Sequence, residues 1–354
     1  MKVFYELSGS RLEFSVLLDE GEFDGERKYS GITNFFFDFG SIHPLTVHPD
    51  KIALVAILNL LPFAKDSIEM MWGVSERFTE ACKRISRVKV LSKGEEIVPS
   101  KKGSLDKIPC ISFSGGADST AALAVMPKIT ECIFLQRKEN EGKTLYDSDA
   151  AKESCRKLTR LGYNVHMVET DLEFLRNPVG FPTDLAVGSP AILLSDIRNY
   201  SSIAYGTILE SAFGTSGVKF RNYSDSSHYK LWSGLFDAAG LGYSLPVAGV
   251  SEVGSTLICE KHALGKVHQS CIRGKWGQPC ENCWKCFRKN AIIAAIRGSE
   301  VKFDYVENIV KSKEVRMKIF GDVPIKHEGV LTYSVAKSSP YDGEAMELLS
   351  DLLR

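Results

Sequence analysis

Hydrophobic and polar positions alternate at Leu12, Phe14 and Val16, and Phe35, Phe36 and Phe37 form a short aromatic run; each predicts a strand. Residues 52–64 are almost continuously apolar, broken by Asn59 and Pro62, and predict a helix with Asp50 as its N-cap. Ser75 opens a second predicted helix, because Phe78, Cys82 and Ile85 recur on one face. Lys93-Gly94 and the polar residues 99–104 read as a linker.

Further along, short β-prone runs alternate with amphipathic stretches. Residues 108–113 predict a strand, followed by a glycine turn and a helix that stops at Pro127. Ala151, Cys155, Leu158 and Leu161 share a helical face with Gly162 as C-cap, and residues 165–168 predict the next strand. A helix over 191–200, a strand over 203–206 and a helix through Leu231, Leu235, Phe236 and Ala239 complete the series. Such alternation implies an α/β fold with a doubly wound parallel sheet and a ligand at the carboxyl ends of its strands. The expected organisation is an extra N-terminal α+β accessory domain over 1–105, the α/β domain over 106–300 and a C-terminal extension over 301–354. Residues 344–353 would form a last helix packed on the body.

Composition narrows the function. The chain has 354 residues, with 44 Lys and Arg against 44 Asp and Glu. Zero formal charge excludes a broadly cationic surface, so nucleic acid is not an expected partner. The longest apolar stretch is too short to span a bilayer. The opening MKVFYELSGSRLEF lacks the charged-then-apolar pattern of a signal peptide, which leads to the expectation of a cytoplasmic protein without a membrane partner. In a reducing compartment, regularly spaced cysteines point to metal or catalysis rather than disulfides.

Of nine cysteines, Cys82, Cys110, Cys132, Cys155 and Cys259 are scattered among apolar residues and read as small core side chains. The other four form two interlocked CxxC steps with a thiol upstream: Cys271, Cys280, Cys283 and Cys286. Four soft ligands at such turns favour tetrahedral Zn2+; a redox pair and an iron–sulfur cluster are the competing readings. With every position filled by protein, the metal would order the segment 270–288 rather than react. Trp284 would then pack the metal-bound knob, while Arg273 and Trp276, in the ordered loop, would be available to a planar substrate.

The second concentrated signal is Ser114-Gly-Gly-Ala-Asp-Ser-Thr120, placed between a strand and a helix. Gly115 and Gly116 let a ligand approach the backbone, and the helix start offers unpaired N–H groups to an anion, with the hydroxyls of Ser114, Ser119 and Thr120 alongside. The string lacks the Gly-Lys-Ser/Thr of a P-loop and the GxGxxG of a dinucleotide fold. The competing reading is an ordinary capped βα turn.

The string SGGADST resembles the pyrophosphate loop of the N-type ATP pyrophosphatases (PP-loop enzymes of the HUP class), which cleave ATP between its α and β phosphates to adenylate a carbonyl oxygen. Together with the four-cysteine segment, the chain is similar to the QueC group, the 7-cyano-7-deazaguanine synthases, over residues 108–295. Gln136-Arg137 after the second strand and Ser270-Cys271 before the CxxC steps also match that group.

That resemblance implies ATP and Mg2+ at Ser114, Gly115, Gly116, Asp118, Ser119 and Thr120, with Asp118 on the magnesium and Ser114, Asp118 and Ser119 nearest the reaction. Gln136 and Arg137 would lie near the nucleotide or substrate. The acid would be 7-carboxy-7-deazaguanine, with Gly188, Asp225 and Arg273 as substrate contacts and ammonia as nucleophile, giving amide and then nitrile. The chain departs from the family at three places. It has Gly188-Ser-Pro for Gly-Arg-Asn, keeps Tyr223 and Asp225 but loses the arginine of Tyr-Pro-Asp-Cys-Arg, and carries Glu252 where the family has lysine. These departures open further readings: a QueC-like relative from an anti-phage system that joins a deazaguanine to a protein amine, a tRNA-thiolating PP-loop enzyme, or an inactive nucleotide-binding adaptor. The N-terminal segment reads first as a stabilising cap or homodimer element, and second as a docking surface for a protein or RNA substrate.

Overall fold

The computed structural model describes residues 1–19, 28–42, 46–100, 108–139, 146–214, 222–298, 311–321 and 327–337. The predicted last helix over 344–353 and most of the 99–104 linker lie outside them.

Among the described residues ten strands form one sheet: β1 (Lys2–Ser8), β2 (Arg11–Leu17), β3 (Asn34–Asp38), β4 (Ser67–Met70), β5 (Lys89–Ser92), β6 (Ile108–Ser112), β7 (Glu131–Arg137), β8 (Val165–Thr170), β9 (Tyr200–Tyr205) and β10 (Gly242–Ser244). Their order is β10-β9-β6-β7-β8-β3-β2-β1-β4-β5. From β10 to β8 every pairing is parallel. The N-terminal strands continue that sheet, because β3 pairs antiparallel with β8 through Phe37 and Thr170. The sheet is therefore mixed and mostly parallel, and the boundary drawn at residue 105 falls between strands of one sheet.

The linking helices follow from local sequence. Helix α1 (Pro49–Leu60) is buried on all sides from Ile52 to Leu60, as a helix apolar all round must be. Its N-cap is His48 rather than Asp50. Asp50 is buried and accepts from both the amide and the hydroxyl of Ser75, the N-cap of α2 (Glu76–Cys82), so it joins two helix starts. Asn59 donates to Ser189 at 3.0 Å, tying α1 to α5 (Ser189–Leu194). One apolar core accordingly runs from Val3 and Phe14 through Ile57 to Ile192 and Phe236.

Helices α3 (Ala117–Ala124) and α4 (Asp149–Arg160) return the chain after β6 and β7. The helix predicted over 191–200 is shorter: α5 ends at Leu194, and Tyr200 already begins β9. Its hydroxyl fixes that start by donating to buried Glu131, 2.7 Å away. After β9 come α6 (Leu209–Ala212), α7 (Ser233–Ala238), α8 (Glu252–Lys261), α9 (Trp284–Arg297), α10 (Lys313–Phe320) and α11 (Glu328–Lys337). All five scattered cysteines are buried and unpaired, and burial holds the thiols of Cys82, Cys155 and Cys259 up at about 12. No helix among the described residues is long and apolar enough to cross a membrane.

Candidate active site

Strand β6 lies centrally, with β7 on one side and β9 on the other. The chain moves outward through β7 and β8, then returns to the far side of β6, so the crossovers diverge at the carboxyl end of β6. A crevice for ligand forms there in a doubly wound sheet. The SGGADST loop occupies this place, between Ser112 and α3.

Gly115 takes φ +75°, a conformation that side chains oppose. Gly116 is the N-cap of α3 and lends no side chain to it, so helix amides remain for another partner. One is taken within the chain: Ala117 N–H donates to Ser270 Oγ at 3.2 Å. Ser119 Oγ lies 3.0 Å from Ser114 Oγ, accepts from the Ser114 amide and donates to Gly116 carbonyl, which ties the loop to itself. Thr120 Oγ1 is buried without a hydrogen-bond partner.

A cavity of about 110 Å³ opens beside the loop. That is well above the roughly 10–15 Å³ one water needs. Ser114, Gly116, Phe134, Arg137, Phe181 and Lys285 are among its lining residues. Arg137 is braced: its guanidinium sits 4.6 Å from the ring centres of both Tyr146 and Phe181, and 3.2 Å from the buried Glu173 carboxylate. Burial raises the pKa of Glu173, with Arg137 opposing that shift.

Across the loop, Asp118 accepts from Ser255 Oγ at 2.6 Å and from Lys289 Nζ at 3.3 Å, and about a third of its side chain stays accessible (32%). Lys289 also pairs with Glu252 at 3.2 Å, and Arg288 meets both Glu252 oxygens, at 3.0 and 3.1 Å. Glu252 is thus a buried counter-ion to α9. Burial opposes its ionisation, but Lys289 and Arg288 outweigh that and bring its pKa down to about 2. Its backbone amide donates to the carboxylate of Glu210, whose pKa burial raises. The cations that pair with Glu252 come from α9. Lys285, one turn before Lys289, keeps accessible surface that faces the cleft. Desolvation there lowers its pKa; Asp118 opposes this, and Lys289 and Arg288 add to it.

The four clustered cysteines meet as predicted, their sulfurs all within 4.8 Å of one another. The Cys280 amide points at Cys271 Sγ (3.3 Å) and the Cys286 amide at Cys283 Sγ (3.4 Å). Hydrogen bonding, that of the Cys286 thiol first, lowers the pKa of Cys283 to about 5. Such a donor set can hold a metal ion. His268 lies outside it, with its Nδ1 2.7 Å from the Gly265 carbonyl.

The cysteine segment and the loop are physically joined. Gln269 N–H donates to Gly115 carbonyl at 2.9 Å, Ser270 meets Ala117, and Cys271 follows at once. The C-terminal extension reaches the cysteine segment and Glu252. Glu314 of α10 accepts from Arg273 (2.6 Å) and from the Trp284 amide at the start of α9 (3.1 Å), while His327 lies 3.6 Å from Glu252.

The other predicted residues sit as follows. Ser114, Gly116 and Arg137 line the cavity, and Gly188 follows the lining Val187. Gln136 turns to Glu169 at 3.3 Å. Asp225 is exposed beside Lys230, Arg273 is held by Glu314, and Trp276 donates its amide to Asp149 with its ring under Lys157; none of these three lines the cavity. Sequence reasoning missed Lys285, Lys289, Ser255 and Gly206. A Cβ on Gly206 would stand 2.5 Å from the Ser119 amide nitrogen, so only glycine lets the end of β9 pass the loop. The signals were present as a glycine ending a predicted strand and as lysines four apart beside the cysteines.

A family of unknown function, DUF6395, matches residues 231–354. No curated protein matches the chain. Among solved structures, the U34-tRNA thiolase NcsA from Methanococcus maripaludis with its 4Fe-4S cluster is similar over 76% of this chain and 80% of that one. Identity is 15% and the TM-score 0.28, so the likeness carries no functional argument.

Proposed function

We propose that this chain is an ATP-using PP-loop enzyme that activates a carboxylate as its acyl adenylate and transfers the acyl group to nitrogen. The observation that carries this reading is the SGGADST loop, with its free helix amides, at the carboxyl end of the central parallel strand and on the wall of a cavity. The carboxylate oxygen attacks the α-phosphorus and pyrophosphate leaves; nitrogen then attacks the acyl carbon, loses a proton and expels AMP. Backbone N–H groups of the loop bind the pyrophosphate part, so charge that develops as it departs meets fixed dipoles. Asp118, accessible beside the loop, is the residue for Mg2+, which when bound neutralises phosphate charge. The chain's own part is positioning and charge neutralisation, which suffices for chemistry of this kind.

For the cysteine cluster we favour zinc. Two thiolates on one tetrahedral ion at about 2.3 Å lie roughly 3.8 Å apart, close to the 3.9 Å between the sulfurs of Cys280 and Cys286. A cubane gives each cysteine its own iron and spreads the sulfurs further. Zinc, when bound, supplies a crosslink that fixes Ser270 and the start of α9. The deazaguanine acid is the substrate to test first, with its planar ring against Phe134 and Phe181.

Purified protein with Mg2+, ATP, 7-carboxy-7-deazaguanine and ammonia should form AMP and pyrophosphate in equal amounts. ATP binding without AMP would sink this acid as substrate, and AMP formation that depends on added tRNA would favour thiolation. Metal analysis should find one zinc per chain; iron in its place would overturn the metal assignment.

A further inference from the structure

We propose that Lys285 contacts the phosphate chain of the bound nucleotide and supplies the cation that the SGGADST loop lacks; this rests on the nucleotide reading above. The loop carries no lysine or arginine, and its amides offer partial charges alone. Among the described residues four cations stand around it, and three of them are committed within the chain. Arg137 pairs with Glu173 between two rings, Arg288 pairs with both oxygens of Glu252, and Lys289 is shared by Glu252 and Asp118.

Lys285 differs from all three. It lines the cavity together with Ser114, Gly116 and Ser270; its backbone bonds to Cys283, while among the described residues no hydrogen bond or ion pair engages its ammonium. Its position also opposes local preference, because it lies in the first turn of α9, where the helix dipole disfavours a cation. Among the described residues only the more distant charges of Asp118 and Glu252 offset that cost; a polyanion would do so at contact.

The backbone beneath Lys285 is fixed on both sides. Cys283 caps α9 by accepting from the Cys286 amide, and Glu314 accepts from the Trp284 amide. A firm base with a flexible four-carbon stem lets a compact ammonium follow a phosphate as it departs. The same base places Lys285 one turn from Lys289, the cation that touches Asp118, so both project from one helix face toward the loop.

The test uses the full, metal-loaded chain and calorimetric titration with Mg·ATP, inorganic pyrophosphate and adenosine. Lys285→Gln should weaken pyrophosphate and ATP roughly ten- to hundredfold, the loss of one charge-assisted hydrogen bond, while adenosine binding and metal content stay as in the parent. Lys285→Arg should restore most of the affinity. A parent that binds ATP and a Lys285→Gln variant that binds pyrophosphate equally well would overturn the role of Lys285 and leave the nucleotide reading intact. A parent that binds neither would overturn both. Amine acylation of the unsubstituted protein, read by peptide mass spectrometry, gives an answer even if the variants lose metal. Pyrophosphate should protect Lys285, and unchanged labelling would refute the proposal.

Discussion

Two buried glutamates, at opposite ends of the parallel sheet, are both held ionised, yet by different surroundings. Glu131 begins β7. It accepts from Arg198 (3.1 and 2.5 Å), Tyr200 (2.7 Å) and Asn164 (3.3 Å), and lies 3.1 Å from His166. Burial works to raise its pKa, and the hydrogen bonds from Arg198 and Tyr200 win. This ring is closed: every partner lies in a strand or within two residues of its start, and it joins β7, β8 and β9 without reaching the cavity. Glu252, at the ligand end, sits in a ring that stays open. From it the pairing runs through Lys289 to Asp118, which keeps accessible surface at the loop. The closed ring holds the fold and the open one holds charge ready for a ligand. A buried ion pair therefore says little about function until its last member is traced to solvent or to protein.

The comparison breaks most readily at Glu131. Glu131→Ala leaves the buried Tyr200 hydroxyl and the partly exposed Arg198 without their carboxylate and should destabilise the protein by about 3 kcal/mol, seen as a lower urea midpoint. Nucleotide affinity of the folded variant should not change. A tenfold loss of ATP affinity at full folding would show that the two ends are not independent.

At the open ring, acid separates stability from binding. The folded pKa of Glu252 lies near 2 against an ordinary 4.5, so its stabilisation is present above the unfolded value and is lost as pH falls toward 2. A shift of that size corresponds to about 3 kcal/mol. Glu252→Gln should lose a similar amount at neutral pH and then show a flatter acid limb in urea titrations from pH 5 to pH 2. Removing the anion also frees Arg288 and Lys289, so pyrophosphate should bind the folded variant several-fold more tightly. Weaker binding would mean that Glu252 positions Lys289 rather than restraining its charge.

Steric predictions are smaller. Gly206→Ala would drive a methyl against the Ser119 amide and should cost about 1–3 kcal/mol of stability, with weaker ATP binding, because the intruded atoms belong to the loop. Gly188→Ala would meet the Tyr205 hydroxyl at 2.0 Å instead, and should lower the urea midpoint while changing ATP affinity less.

What was legible in the sequence follows the same division. Short-range features read well: the loop after residues 108–113, the two interlocked CxxC steps and Ser75 as a cap all depend on neighbours in sequence. Pairing across the sheet did not. Nothing in Phe35 to Phe37 announces that β3 will join β8, because an alternating strand fits any edge with a matching apolar face. The capping signal at Asp50 misled for a related reason: an acidic residue before an apolar run suits an N-cap, but here tertiary contact with Ser75 claims the carboxylate and His48 caps instead. Glu252 read as a lost positive charge since its counter-ions stand 36 and 37 positions later on α9.

The smallest effect probes the join between the cysteine cluster and the loop. Ser270 Oγ accepts the Ala117 N–H, one of the amides that an anion would also seek, and Ser270 directly precedes a cluster cysteine. Without ligand, Ser270→Ala leaves that buried amide unsatisfied and should cost about 1 kcal/mol. With saturating pyrophosphate the amide gains a phosphate oxygen, so the variant should recover most of that loss. The measurement is the difference in thermal midpoint between parent and variant, taken with and without pyrophosphate at equal metal content. An equal difference in both conditions would mean that Ser270 and the anion do not share this donor. A difference that vanishes with ligand would identify Ser270 as the hydroxyl that holds the anion's place while the loop is empty.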